Sequence, residues 1–301
     1  MSGNWKKTLL FIGLTFSVSY RVAISFHLLG GKWNTTEAIV VAVIYMFIPM
    51  VMAIFVQKVI YGQAVKGPLG ISWKLNRWFL VAWLLPPAIA FGTLGVSLLL
   101  PGIKYSPDLA GLFERFERVV SPEKLQEMKE QVAAFPLHPI WLGLLQGLVA
   151  GVSINAVAGF GEELGWRGFL QRELGFLGFW KSAALIGLIW GVWHAPLILQ
   201  GHNYPQHPAA GVLMMGAFCL LLSPLFSYIR LKAGSVLAAA ILHGTLNATG
   251  GLALMVVKGG DDLTIGITGV AGLIVLAILD VGIFLLVKAG TLREELRSSA
   301  A

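Results

Sequence analysis

Long apolar stretches recur along the chain and are separated by short polar or glycine-rich segments. An α-helix needs about 20 apolar residues to cross a hydrocarbon core, and stretches of that length occur eight times. They lie near residues 8–29, 37–57, 78–100, 139–163, 182–200, 209–229, 235–257 and 264–287. The pattern predicts an all-α fold, a polytopic membrane bundle of about eight transmembrane helices.

The segment between the third and fourth stretches, about 101–138, has a different pattern. Apolar residues recur at helical spacing over 109–120 and again over 125–132. Ser121 and Pro122 are typical of a helix start, as cap and first helical residue. We expect two short amphipathic helices, on the extracytoplasmic surface or covering the bundle. A solvated loop is the alternative.

The composition excludes a soluble globule of this size. The 301 residues are 56% hydrophobic and only 12% charged, and the mean hydropathy is +0.77. Lys6 and Lys7 precede a stretch long enough to remain as the first helix, so no cleavable signal peptide is expected. The single cysteine, Cys219, forms no intrachain disulfide. We expect one membrane domain over 1–301, with its core motifs in 159–250.

The distribution of basic residues predicts an orientation. If eight spans alternate in direction, the side that holds both termini carries about twice as many Lys and Arg residues as the other. Basic residues gather in cytoplasmic loops, so we expect both ends of the chain in the cytoplasm. The net charge of +7 is then explained by the basic residues of the cytoplasmic loops, and we expect no nucleic-acid partner.

Charged residues stand out at the end of the fourth apolar stretch. Glu162 and Glu163 are adjacent, and Arg167 follows four residues after Glu163. On a helix, Glu163 and Arg167 share a face and can pair, whereas Glu162 points about 100° away. Glu162 is therefore a candidate general base. Ordinary charges at a membrane helix end are the other interpretation.

Three further polar residues lie inside predicted spans. His194 lies in the fifth apolar stretch, and His243 and Asn247 lie four residues apart in the seventh. Counted from the basic residue at the end of each span, Glu162 and both histidines fall roughly 15–20 Å deep at 1.5 Å per residue. They can therefore meet at one level. A structural histidine or a packing asparagine is the alternative for each one taken singly.

Such a set supports the addition of water to a carbonyl group. Glu162, assisted by His194, would deprotonate the water, and His243 with Asn247 would stabilise the negative charge on the carbonyl oxygen. Glu163 and Arg167 would support this geometry. Two alternatives stay open: a zinc protease with Glu162 and both histidines as ligands, and a non-catalytic membrane scaffold, immunity protein or transporter.

The motifs resemble those of a known family. Glu162-Glu163-x-x-x-Arg167, Trp190-x-x-x-His194 and His243-x-x-x-Asn247 are similar to the three-motif signature of the CPBP intramembrane proteases. This family includes the CAAX prenyl endopeptidases and the bacteriocin-processing and self-immunity proteins. The resemblance covers about 162–247, and Trp190 stands where the family usually has phenylalanine.

The resemblance implies an eight-helix bundle with glutamate-type peptide hydrolysis and no cofactor. Its cavity would open to the cytosolic leaflet, with Glu162 and His194 activating water and His243 and Asn247 forming the oxyanion site. The expected partners are a peptide or lipidated protein substrate and membrane lipid. We expect a multi-pass integral protein of a prokaryotic cell membrane. The prenyl specificity of some relatives is not carried over.

Overall fold

The computed structural model describes residues 5–33, 35–117 and 120–292. In chain order its helices are α1 (Trp5–Leu28), α2 (Thr36–Ile54), α3 (Arg77–Ser97), α4 (Ala110–Phe116), α5 (Pro122–Ala134), α6 (Pro139–Val152), α7 (Ile154–Glu163), α8 (Gln171–Glu173), α9 (Phe179–Ile198), α10 (Pro208–Ala233), α11 (Val236–Thr249), α12 (Leu252–Met255) and α13 (Val270–Lys288). Two π-helical turns, Phe55–Ile60 and Leu164–Leu170, extend α2 and α7, and a 3₁₀ turn, Gly175–Leu177, precedes α9.

The predicted all-α membrane bundle is confirmed. In the described part of the chain, seven helical segments are long and apolar enough to cross a membrane, or eight if α5 and α6, bent by 92°, count as one. The charge-based orientation stays a prediction, because the arrangement of the helices does not say which end of the bundle faces the cytoplasm. Residues 1–4 and 293–301 lie outside the described residues.

The fourth apolar stretch is not the uninterrupted helix that hydropathy predicts. Ser153, between α6 and α7, has φ −115° and ψ −104°, and its hydroxyl donates to the Val149 carbonyl at 2.7 Å. A serine hydroxyl bonded to the carbonyl four residues earlier favours a local bend. Both halves nevertheless run along α11, since Gly147 lies against Thr249 and Gly159 against Ala240.

The two ends of the bundle differ. At the first, the loops at 61–76 and 289–292 bond to the α10–α11 corner, as in the bonds from Asn76 Nδ2 to the Ala233 carbonyl and from Lys232 Nζ to the Thr291 carbonyl. We call this the basic end. At the second, strands β1 (Lys104–Tyr105) and β2 (Val257–Lys258) pair antiparallel beside the loops at 201–207 and 259–269. We call this the sheet end.

The amphipathic helices predicted within 101–138 are present as α4 and α5. Ser121 caps α5, because its side chain accepts from the Lys124 amide at 3.3 Å, and proline follows it. Leu109, Phe113 and Leu125 are buried in one cluster with residues of α3, α6 and α12. Both helices therefore cover the bundle at the sheet end. The β1–β2 pairing in the same region was not predicted.

Candidate active site

Two acidic residues end α7 in the middle of the bundle. Glu162 is 2% exposed and Glu163 is 0% exposed. Burying charged groups is costly unless they are paired and hydrogen-bonded. The π-helical turn Leu164–Leu170 follows directly, and such turns are frequent at functional sites. The partners of both carboxylates are therefore the first point to establish.

Glycines let α7 approach its neighbours closely on two sides. A Cβ atom on Gly159 would lie 2.9 Å from the Ala240 carbonyl oxygen in α11, and one on Gly161 would lie 2.7 Å from the Met46 carbonyl oxygen in α2. Neither position has room for a side chain. The close approach places the end of α7 between α2 and α11, where the acidic pair faces the interior.

Both hydrogen bonds of Glu162 come from tryptophans, and both reach the same oxygen. The indole nitrogen of Trp190 donates to Glu162 Oε2 at 2.7 Å, and that of Trp166 donates to it at 3.3 Å. The other oxygen, Oε1, lies 3.8 Å from His243 Nε2. Since indole nitrogens only donate, one carboxylate oxygen is held and the other is left to act as an acceptor.

Glu163 is engaged differently from its neighbour. Arg167 Nη1 lies 3.1 Å from Glu163 Oε2, so the ion pair predicted from their spacing is present. His243 Nδ1 lies 2.8 Å from Glu163 Oε1, a contact that the sequence did not indicate. The Arg167 guanidinium also sits 4.5 Å from the Trp190 ring centre and 4.6 Å from that of Phe226. Glu163 therefore orients the imidazole and the arginine.

His194 lies one helical turn beyond Trp190. Its Nδ1 is 2.9 Å from the Trp190 carbonyl oxygen. A carbonyl only accepts, so Nδ1 is assigned the hydrogen and Nε2 is left as an acceptor. Among the described residues, His194 makes no direct hydrogen bond to Glu162. Their predicted cooperation would therefore act through a molecule bound between them.

Cys219 also reaches His194. The cysteine sulfur lies 3.8 Å from His194 Nδ1, and Cys219 itself is fully buried. The sequence did not indicate this contact. The two residues belong to different helices, α10 and α9, and their proximity depends on tertiary packing that spacing along the chain does not reveal.

Asn247 lies one turn beyond His243 on α11 and is exposed to the cavity. Its amide makes no hydrogen bond to any residue that the structure describes. A free amide nitrogen is a suitable donor for a negatively charged oxygen. The four residues predicted for catalysis, Glu162, His194, His243 and Asn247, therefore line one cavity.

That cavity has a volume of about 880 Å³. Its walls come from α2, α9, α10 and α11, and it reaches the loops at 201–207 and 259–269. These loops belong to the sheet end, and no residue of the loops at 61–76 or 289–292 lines it. The candidate residues are therefore reached from the sheet end.

This geometry conflicts with a pair of our expectations. The charge pattern places the basic end in the cytoplasm, whereas the family resemblance implies a cavity open to the cytosolic leaflet. Because the cavity opens at the sheet end, the two expectations cannot both be right.

The zinc alternative requires three ligand atoms that converge. Within the described ranges, only His207, Asp261 and Asp262 bring three such atoms within 4.8 Å of one another. Asp261 and Asp262 line the cavity where it opens at the sheet end, which we call its mouth, and His207 lies beside them. Glu162 and the two histidines do not meet this criterion, so in this conformation their side chains do not fit a three-ligand zinc centre.

Comparison with known proteins adds to this geometry. Residues 137–249 match the family model described as Type II CAAX prenyl endopeptidase Rce1-like. This segment is therefore similar to the Rce1-like family. It contains all four candidate catalytic residues together with Glu163 and Arg167. The family resemblance predicted from the three motifs is therefore confirmed for this part of the chain.

The chain is also similar to a curated relative, CAAX prenyl protease 2 of Methanococcus maripaludis. The two sequences are 31% identical over 124 residues, which is 39% of this chain and 44% of the relative. The chain thus spans less than half of the relative that it matches. The similarity therefore covers only part of each protein.

We did not predict from the sequence which groups would hold Glu162. The spacing of Trp166, four residues after Glu162, could have indicated one of them, because residues four apart share a helix face. Trp190 was noted only as an aromatic residue of the second motif. Trp190 donates the shorter of the two hydrogen bonds to Glu162, and this contact between α9 and the end of α7 depends on tertiary packing.

Proposed function

We propose that the chain is an intramembrane endopeptidase that hydrolyses a peptide bond with water activated by Glu162 and His194. The observation that carries the proposal is the asymmetric setting of Glu162. Glu162 lines the cavity, with one of its oxygens held by two indole N–H groups and the other 3.8 Å from His243 Nε2. The Rce1-like segment supports the same reaction class.

The protein's own side chains supply each proton transfer. Glu162 accepts a proton from a water molecule as the water oxygen attacks the carbonyl carbon. The tetrahedral oxyanion accepts hydrogen bonds from Asn247 and His243. The proton on Glu162 then passes to the amide nitrogen, the C–N bond breaks, and the two products carry a carboxyl and an amino group. No cofactor is needed for this sequence of steps.

The proposed role of His243 sets a condition on its protonation. Nδ1 donates to Glu163 Oε1, 2.8 Å away. Nε2 must therefore also carry a hydrogen if it is to donate to the oxyanion. Glu163 completes the site by accepting from this imidazole while it is paired with Arg167.

The setting of the cavity supports a proposal for the substrate class. The cavity is buried among membrane-spanning helices, and its walls are mainly apolar, with Met215, Phe218 and Leu222 among them. We expect a peptide segment of a membrane-associated or lipidated protein, with membrane lipid at the entrance. The similarity to a protein named CAAX prenyl protease 2 makes a prenylated CAAX peptide the first substrate to test.

We further propose that the sheet end faces the cytoplasm of a prokaryotic cell, so that cytoplasmic substrates enter the cavity. This orientation is the opposite of the one expected from the charge pattern, in which both termini are cytoplasmic. Some of the basic residues that support that position are not loop charges, because Arg167 and Lys7 are 1% and 2% exposed and lie in buried ion pairs. The charge bias towards the basic end is therefore weaker than the count along the sequence indicates.

Cleavage by purified protein tests the proposed activity. Detergent-solubilised protein is incubated with prenylated and unprenylated peptides, and the products are identified by mass spectrometry. We expect cleavage by the wild type and the Cys219→Ser variant, none by Glu162→Ala, and no loss after exhaustive chelation. Loss on chelation would instead favour a metalloprotease. Absence of cleavage, with biological function intact in Glu162→Ala, would favour a scaffold.

A further inference from the structure

Trp190 contacts both groups that are proposed to activate water. Its indole nitrogen donates to Glu162 Oε2 at 2.7 Å, and its backbone carbonyl oxygen lies 2.9 Å from His194 Nδ1. Trp190 is 3% exposed, so its indole is held almost entirely by protein contacts. One residue thus fixes the orientation of the carboxylate and the tautomer of the histidine.

The indole bond selects which oxygen of Glu162 is free. Two donors, Trp190 and Trp166, converge on Oε2, so a proton taken from water is placed on Oε1. Because an indole nitrogen only donates, neither tryptophan can accept the proton that Glu162 takes from water. A phenylalanine at this position would keep an aromatic ring but would offer no hydrogen-bond donor.

We propose that the indole N–H of Trp190 is a positioning group for Glu162. It holds Oε2 so that Oε1 points towards the cavity and His243. This inference rests on the proposed peptidase function and adds a residue to that same site. A role in packing alone would require only the aromatic ring, which also lies 4.5 Å from the Arg167 guanidinium.

The Trp190→Phe variant removes the donor and keeps an aromatic ring. We expect kcat to fall roughly 10- to 100-fold, as for the loss of one hydrogen bond to a charged group, with KM within about twofold. Trp83→Phe is the matched control, because it removes an indole bond to the Leu148 carbonyl that is of similar length, 2.9 Å, and remote from the site. Its kcat should stay at the wild-type value.

A double-mutant cycle on Tm tests the contact without relying on activity. The cycle compares Trp190→Phe, Glu162→Leu and the double variant. We expect Trp190→Phe to lower Tm in the wild-type background and to lower it less, or raise it, beside Glu162→Leu, which leaves the indole without an acceptor.

The outcomes separate the two proposals. Additive Tm shifts, a kcat of Trp190→Phe within twofold of the wild type, or a rise confined to KM would each overturn the positioning role. If the wild type cleaves no peptide at all, the peptidase function fails and the positioning role falls with it. The cycle would then report only on whether the hydrogen bond stabilises the fold.

Discussion

Adjacent carboxylates acquire different roles here because their partners differ. Glu163 is paired with Arg167 and bonded to His243, whereas Glu162 has only indole donors on one oxygen. An ionised Glu163 therefore has counter-charge and little freedom. Glu162 lines the cavity, and its ionised form keeps one unbonded oxygen, which is the arrangement that a general base needs.

At this scale the sequence predicted which polar residues lie close together in the candidate site. The motif spacings identified Glu162, Glu163, Arg167, His194, His243 and Asn247, and the structure brings all six together. The tryptophan donors and the approach of Cys219 to His194 were not predicted. They join residues of different helices, and no local spacing along the chain encodes such contacts.

The Asn247→Ala variant tests the oxyanion donor. Loss of one donor in such a site is expected to lower kcat by roughly 10²- to 10³-fold. Since Asn247 is exposed to the cavity and bonds to no described residue, Tm should stay unchanged. Steady-state kinetics on a cleaved peptide provide the measurement, and an unchanged kcat would remove Asn247 from the mechanism.

Among the helices, the pairing of α7 with α11 holds the acidic pair in place. The contact depends on glycines that face each other across the interface. A Cβ on Gly244 would collide with the Ala156 nitrogen and the Gly151 carbonyl oxygen, and one on Gly159 would collide with α11. Hydropathy locates the apolar stretches, but it reports neither the break at Ser153 nor the π-helical turn. Both depend on hydrogen bonds rather than on apolar content.

A methyl group at Gly244 should separate these helices. Gly244→Ala is expected to lower Tm and to reduce cleavage at least tenfold, since overpacking costs roughly 1–3 kcal/mol and shifts His243 on the same helix. Gly13→Ala in α1 is the control, because its Cβ has nothing within 4 Å. Equal effects of the two substitutions on Tm and on rate would contradict the importance of this interface.

For the whole molecule, the proposed orientation in the membrane depends on which side the mouth of the cavity faces. Membrane-impermeant maleimide labelling of intact cells tests this, with Lys104→Cys at the sheet end and Lys66→Cys at the basic end, both in a Cys219→Ser background. Both lysines are exposed. We expect Lys66→Cys to be labelled and Lys104→Cys to be protected until the cells are permeabilised. The reverse pattern would place the mouth outside and restore the expected cytoplasmic termini.

The loops at the mouth are joined by a pH-dependent contact. His207 Nδ1 lies 2.6 Å from Asp262 Oδ1, and this hydrogen bond raises the pKa of His207 above its usual value near 6.5. With the pKa higher in the folded than in the unfolded state, the stabilisation is complete below the unfolded pKa. It is lost as the pH rises through the folded pKa.

We therefore expect amide exchange in the loops at 201–207 and 259–269 to accelerate as the pH rises through the folded pKa of His207, after correction for intrinsic exchange. The measurement is hydrogen–deuterium exchange on the full protein. His207→Gln should abolish the acceleration. If that variant shows the same pH dependence as the wild type, the His207–Asp262 contact does not control the mouth.

Substitution of each carboxylate by its amide tests the central claim that Glu162, and not Glu163, activates the water. The measurement is kcat for Glu162→Gln and Glu163→Gln on the same peptide. We expect Glu162→Gln to lose at least about 10²- to 10⁴-fold in kcat with an unchanged Tm. Glu163→Gln should lose less in kcat and more in Tm, because it breaks a buried ion pair. A Glu162→Gln enzyme that keeps the wild-type kcat would contradict the account.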